Sequence, residues 1–500
     1  MARASTGSAN TAGLESRIDA KLDELFGMDV RGLAFFRMGF ATLIIIDILN
    51  RTRQLRSYYT DWGAFPRSQS VDYYSSDWTW SLYLIGGNWA FVAGMFAMTL
   101  ALAVALFFGY RTRLVTFLLW AMMLSLHNRN PLVLQSGDTL LRMMLFWALF
   151  TPLGAALSLN ARSDTSNKRV LTIGTVALLV QLLLMYVLTG LLKSGAEWRS
   201  EGSAVYYTLQ LDIFTTQLGA WLSQFYEPLR LLSFGTLALE LLAPLLFLLP
   251  IFNVFTRTFA ILALVAFHLG LATTLHLGLF GWIAIVALIG FLPTPVWDFL
   301  GQKLAGSSLA KRWSALLDIL RKRFSQDPPR PAPRLKLASN ALGGVLLIYV
   351  LLWNFNTLPQ FSISLPKDPA MALRLNQTWS MFSPKPATND GWIVITAQLR
   401  GGGEVDLRTG ESVTFERPEN LATTVSGQRE RKYLRNLLKS SNKEHRLYYG
   451  KSLCRSWNAN HSGGDIVEKF QIHFMKETSL PNYELSAPEQ ITIWRHDCFK

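Results

Sequence analysis

The chain has 500 residues, half of them hydrophobic, 12% aromatic and only 16% charged, where a soluble domain carries about 25% charge. That much apolar sequence exceeds what soluble cores absorb, so the composition excludes a string of soluble domains and indicates a polytopic membrane protein. The net charge of +14 therefore reads first as membrane topology, and two cysteines, both near the C-terminus, exclude a disulfide scaffold, an iron–sulfur site or a Cys-based zinc site.

Residues 1–30 are polar and mixed in charge, without the short apolar core and small-residue cleavage site of a removable signal peptide; a cytoplasmic segment is expected. Apolar runs of roughly 17–25 residues, enough to span a bilayer, then recur near 32–49, 89–109, 114–134, 139–158, 170–190, 229–250, 257–275, 277–293 and 340–357. The expectation is about nine spans, with 114–134 the least regular because its second half, SLHNRNPLVLQ, is polar. The stretch 204–225 is amphipathic and is expected along the outer interface, a tenth span being the alternative.

Charge sets the orientation. With the N-terminus inside, the inner segments collect Arg3, Arg17, Lys21, Arg31, Arg111, Arg113, Arg162, Lys168, Arg169 and Arg257. The 294–338 loop adds Lys303, Lys311, Arg312, Arg321, Lys322, Arg323, Arg330, Arg334 and Lys336. The reverse choice would export that basic loop, against the positive-inside tendency; Arg51, Arg53 and Arg56 are the exception. GYRTR and the 321–323 cluster read as solvated topology signals, and no nucleic-acid partner is expected. The proline-rich stretch 324–337 connects to the last span.

Residues 358–500 then lie outside. Period-two runs at 391–399, 404–409 and 466–474 and a charged helical stretch at 429–458 predict a β-rich extracytoplasmic domain with one or two helices. In an oxidising compartment Cys454 and Cys498 are candidates for a single disulfide, two unpaired buried cysteines being the alternative.

Ionisable groups inside apolar runs are costly and need a partner or a purpose. Asp47, Asp138, Glu240, His268 and His276 stand out. Asp47–Arg51 and Asp138–Arg142 have the spacing of helix-stabilising pairs. His268 and His276, eight residues apart, would share a face of one span, yet no carboxylate accompanies them and no HExxH occurs, so no metal is expected. Walker A and GxGxxG loops are absent too. In this topology HNRNPLVLQSGD (127–138) and TGLLKSGAEWRSEGSAVYY (189–207) both fall at the outer boundary. Lys193 ends an apolar helix there, with Glu197 nearby. It reads either as a snorkelling lysine or as a desolvated one able to serve as a general base.

Four segments carry a family resemblance: RGLAFFRMGF…DILNR…YYTDWGAFPR (31–67), LHNRNPLVLQSGDTLLRMMLFW (126–147), TGLLKSGAEWRSEGSAVYY (189–207) and NQTWSMFSPKP…DGWIVITAQL…EVDL (376–406). With ELLAPLLFLLP (240–250) and FHLGLATTLHLGLFGW (267–282), they resemble bacterial proteins with the horizontally transferred transmembrane domain, relatives of vitamin K-dependent gamma-glutamyl carboxylase. The resemblance implies a carboxylase-like transmembrane domain over 31–357 in the bacterial inner membrane. It also implies an activity. A lysine deprotonates a reduced quinone (reduced vitamin K, a menaquinol-type quinol). Reaction with O₂ generates a strong base with epoxidation. A peptide or protein glutamate on the outer face, or another acceptor, is deprotonated and takes up CO₂.

By the same resemblance, Lys193 matches the catalytic lysine and Trp198 the tryptophan after it. His127, Arg129, Asn130 and Asp138 would shape the pocket, supported by Glu240, His268 and His276. The chain differs in having Arg129–Asn130 where the carboxylase has Asn–His, Ser–Gly–Ala–Glu after Lys193, and no recognisable propeptide-binding region. Two alternatives come from other classes. One is an ion- or proton-coupled transporter with a relay through Asp47, Glu240, His268 and His276. The other is a membrane-anchored partner-binding protein.

Overall fold

The computed structural model describes residues 5–159, 161, 168–324, 333–481 and 484–499; Arg3, Arg162, Arg330 and the run 325–332 lie outside the described residues. Local chemistry sets the helix ends. After α1 (Ser5–Phe26), the Asp29 side chain accepts from the Arg31 amide and starts α2 (Val30–Thr52). Asn88 accepts from the Phe91 amide at 2.8 Å to start α3 (Trp89–Phe108), and Gly109, at φ 74°, ends it in the left-handed conformation glycine adopts without strain. Next come α4 (Thr112–Arg129) and α5 (Ser136–Ala148), the latter opened by a Gln135/Asp138 capping box. A Thr172/Thr175 box opens α6 (Ile173–Leu192), followed by α7 (Tyr226–Leu248), α8 (Asn253–Thr274) and α9 (Phe280–Gly290). Pro293 separates α9 from α10 (Thr294–Ala305), and α11 (Ser308–Phe324) and α12 (Pro333–Phe355) complete the helical region.

Among the described residues, six helices are long and apolar enough to cross a membrane: α2, α3, α6, α7, α8 and α12; α9 with α10 would make a seventh if a pair bent by 97° counts as one span. The expected nine is thus not confirmed: six helices, or seven with the bent pair, have the length and composition of spans among the described residues. The run 114–134 gives way because α4 ends at Arg129 and Asn130 turns extended ahead of Pro131. The run 139–158 gives the 13-residue α5, buried on every face from Leu140 to Ala148. A helix wrapped by protein touches no lipid, so its length is not set by bilayer thickness. The stretch 204–225 contains only Ala204–Leu209 and Gln217–Leu222 as helices, each of 6 residues, too short to cross.

The C-terminal region forms a four-stranded antiparallel sheet from β1 (Asn389–Leu399), β2 (Glu404–Asp406), β3 (Val467–Thr478) and β4 (Glu489–Asp497), in the order β2-β1-β3-β4. The central pair runs in register from Asn389 opposite Thr478 to Gln398 opposite Lys469. Helices α13 (Gln428–Leu438) and α14 (His445–Asn458) lie between β2 and β3 in sequence. Cys454 on α14 is bonded to Cys498 just past β4, tying a helix to the sheet edge.

This region is seated on one end of the helical bundle. Asn436 Nδ2 donates to Leu132 O at 2.7 Å, Tyr433 OH to Ala64 O at 3.0 Å and Gln428 Nε2 to Leu277 O at 3.0 Å. The opposite end is tied by Arg31, 2.7 Å from Asp29 and 2.8 Å from Asp298, and by Lys168, 3.0 Å from Asp298.

Candidate functional site

Two buried polar clusters lie in the bundle. The first is built where α6 and α7 approach closely: a Cβ on Gly190 would come within 2.8 Å of Leu241 Cδ2, so a larger residue there would make the Leu241 side chain shift. Three residues on, Lys193 leaves the end of α6 and its Nζ donates to both oxygens of Glu240 on α7, at 2.8 and 2.7 Å. The two side chains are 2% and 6% exposed, so Lys193 is enclosed rather than snorkelling. Trp198 presents its ring face 4.9 Å from Nζ and donates its indole N–H to Phe382 O at 2.9 Å. Two turns back on the same face of α6, the Tyr186 hydroxyl lies 2.7 Å from His268 Nε2. Phe267 and Phe280 stand edge-on to the His268 ring, and the buried His268 Nδ1 has no partner among the described residues.

The second cluster closes two carboxylates with two guanidinium groups. Arg51 donates to Asp47 at 2.8 Å, Asp138 at 2.5 Å and the Tyr59 hydroxyl at 2.7 Å. Arg429, arriving on α13, donates to Asp47 and Asp138 at 2.7 Å each. Burial opposes ionisation of Asp138, but Arg429 and Arg51 outweigh it and hold its carboxyl well below the usual range. Beside it, Arg142 Nη1 lies 3.2 Å from His127 Nδ1. Arg142 can only donate, so Nδ1 accepts and the ring proton sits on Nε2, 3.6 Å from Asp138 Oδ1.

Several expectations are corrected by this geometry. Asp47–Arg51 pair as the spacing suggests, but Asp138 and Arg142 do not. Arg142 instead donates to the carbonyls of Arg374 and Asn376, because Arg51 and Arg429 already saturate Asp138. Glu197 is not the partner of Lys193; it lies 3.6 Å from Lys385. His268 and His276 do not share a helix, since α8 ends at Thr274. His276 sits in the following turn with an exposed side chain, and its carbonyl accepts from Arg431 at 2.7 Å. Arg129 and Asn130 are buried but donate to the Phe65 and Tyr58 carbonyls at 2.8 and 2.9 Å, so they anchor the 58–65 segment and touch neither ion-pair cluster.

Sequence reasoning missed a strap that follows α12. Gln377 Oε1 accepts from Gln181 at 2.7 Å and from Trp379 at 2.9 Å; Arg374 bonds Asn128; and Pro384 O accepts from the Gly195 amide at 3.0 Å. Residues 374–384 thus reach both clusters. Gln181, a lone amide in an apolar run, was the available signal; Arg429 carried none within a uniformly charged stretch.

A chain with several helices able to cross a membrane, and a buried pair of a lysine at the end of one and a glutamate within another, has the make-up of a multi-pass membrane protein with an internal polar site. Residues 27–297 match the HTTM domain family, the transmembrane domain of vitamin K-dependent carboxylase-like proteins, and the chain belongs to that family. No curated protein and no solved structure matches the chain.

Proposed function

We propose that the chain is a quinol-dependent, carboxylase-like membrane enzyme with Lys193 as the base. The observation that carries this reading is the enclosed Lys193–Glu240 pair against the Trp198 ring. Burial penalises charged forms, so a buried ammonium–carboxylate pair lies closer in energy to amine plus carboxylic acid than it would in water. Glu240 can therefore take the proton that Lys193 must shed before it acts, and hold it within hydrogen-bond distance.

The residues suit a quinol. Tyr186 and His268 offer polar handles, Phe267 and Phe280 supply apolar walls, and the unpartnered His268 Nδ1 is free to bond a ligand oxygen. When bound, a reduced vitamin K-type quinol supplies, with O₂, a base strong enough to take a γ-proton from glutamate so that CO₂ can add. The chain's own part is to accept the quinol hydroxyl proton at Lys193 Nζ and to exclude water. Trp198, tied to the strap through Phe382 O, closes that side.

The test is purified protein in detergent with reduced vitamin K, O₂, radiolabelled bicarbonate and a glutamate-containing peptide, wild type beside Lys193→Ala. Epoxide and fixed label, both lost in the variant, are expected. Epoxide without label would keep the quinol chemistry and assign another acceptor. A variant that matches wild type in every product would overturn Lys193 as base and favour a membrane-anchored partner-binding protein.

A further inference from the structure

The end of the bundle opposite the C-terminal domain carries a feature that the proposed chemistry does not use. After α9 the chain turns by 97° into α10, which has no buried residue and exposes Phe299 and Leu304 beside Lys303. Helix α11 follows and is fixed by one side. Trp313 stacks on Phe108, with ring centroids 5.9 Å apart, Leu317 is buried, and Arg321 donates to Ser158 O at 3.0 and 3.2 Å.

The other side is composed differently. Arg312, Leu316, Ile319 and Arg323 recur at spacings of four, three and four, so they form one stripe along the helix. All four are exposed, with Ile319 at 66%. Lys311 and Lys322, one residue before Arg312 and Arg323, flank the stripe. Asp318 pairs with Arg321 at 3.3 Å, and Asp298 is taken by Arg31 and Lys168. Lys303, Lys311, Arg312, Lys322 and Arg323 therefore have no carboxylate partner among the described residues.

We propose that α10–α11 is a binding belt for anionic phospholipid, lying in the plane of the leaflet at this end of the bundle. Charge complementarity identifies the occupant. Five cations without a carboxylate partner among the described residues, four on α11 and Lys303 on α10, suit a surface of negative charge, and two apolar side chains between two arginines suit insertion among acyl chains with guanidinium groups at phosphate level. A water-soluble acidic partner would leave Leu316 and Ile319 without a counterpart. The 97° turn gives the geometry: α10 departs from the line of α9 at nearly a right angle, and where α9 runs across the bilayer such a helix lies along its surface.

The experiment uses the full chain in bilayers of equal phosphatidylcholine and phosphatidylglycerol, released intact into a native mass spectrometer, with the retained lipids counted by class. Wild type is expected to retain phosphatidylglycerol in preference to phosphatidylcholine by about threefold or more. Arg312→Gln/Arg323→Gln is expected to cut that preference at least by about half, whereas Lys443→Gln/Lys451→Gln, on the C-terminal domain, leaves it intact. Because Arg321 and Trp313 are untouched, the packing of α11 is preserved, and a salt titration on wild type provides a readout that needs no variant. Equal retention of the two lipids by wild type, a preference unchanged by the arginine variant, or a preference insensitive to salt would each overturn the belt.

Discussion

At the residue scale the Lys193–Glu240 pair makes a demand that is independent of any catalytic role. A buried ion pair is poor evidence for stability, but removing one partner leaves the other charge uncompensated, at about 3–5 kcal/mol. Lys193→Ala alone is expected to lower the melting temperature in detergent, and Lys193→Ala/Glu240→Gln to recover most of the loss, since the amide is neutral. If activity fails in both variants while stability returns only in the double one, chemistry and folding are separated. Asp390 makes a second demand. It stands at the start of β1, where its Oδ2 accepts from the Ile213 amide at 3.0 Å, and burial pushes its carboxyl up to about 6 from an ordinary 3.8. A carboxyl raised in the folded state contributes stability that is present below about pH 4 and lost as pH rises through about 6. Relative to Asp390→Asn, whose amide can still accept from Ile213, wild type should therefore lose on the order of 2 kcal/mol between pH 4.5 and 7. A difference in melting temperature that stays flat with pH would contradict this.

At the scale of elements, Arg429 couples α13 to the bundle. It brings the second positive charge to a pair of carboxylates that Arg51 alone cannot balance. Arg429→Ala is expected to loosen α13 and to speed proteolysis of the C-terminal domain, and Asp138→Asn in the same chain to restore protection by removing the surplus negative charge. Unchanged cleavage in the single variant would make Arg429 a passenger. Its role was illegible in the sequence because ion pairs across hundreds of residues leave no local spacing, whereas Asp47–Arg51 sit one turn apart. Glu240 was legible as an anomaly within LALELLAPLLF, but not as the partner of Lys193. Hydropathy likewise registers that α4, α5 and α9 are apolar without saying what surrounds them: α5 is enclosed by protein from Leu140 to Ala148, whereas α4 exposes Leu114, Phe117 and Leu118 and α9 exposes Trp282. The β1 and β3 strands were legible because alternation survives wherever one face is buried. The edge strand β4 has no fully buried residue and offered no such pattern.

At the scale of the whole molecule, the two ends of the bundle differ in kind. One end carries Lys168, Arg169, α10 and α11; the other carries the strap, α13 and the disulfide-tied sheet. By the positive-inside tendency the first end is expected in the cytoplasm, and a disulfide would suit an oxidising compartment on the opposite side. Each assignment rests on different residues, so they can be tested together by labelling. Both native cysteines are bonded to each other, which leaves a clean background for single added thiols. Ser314 on α11 and Ser440 beyond α13 are both exposed. In sealed spheroplasts, Ser440→Cys should react with a membrane-impermeant maleimide at once, and Ser314→Cys only after permeabilisation. Reversed labelling would keep the fold and invert the protein in the membrane, placing the basic end outside and the site inside. Labelling of both positions from one side would mean that the α10–α11 end and the sheet do not lie across the bilayer from each other, and the arrangement of spans between them would have to be redrawn.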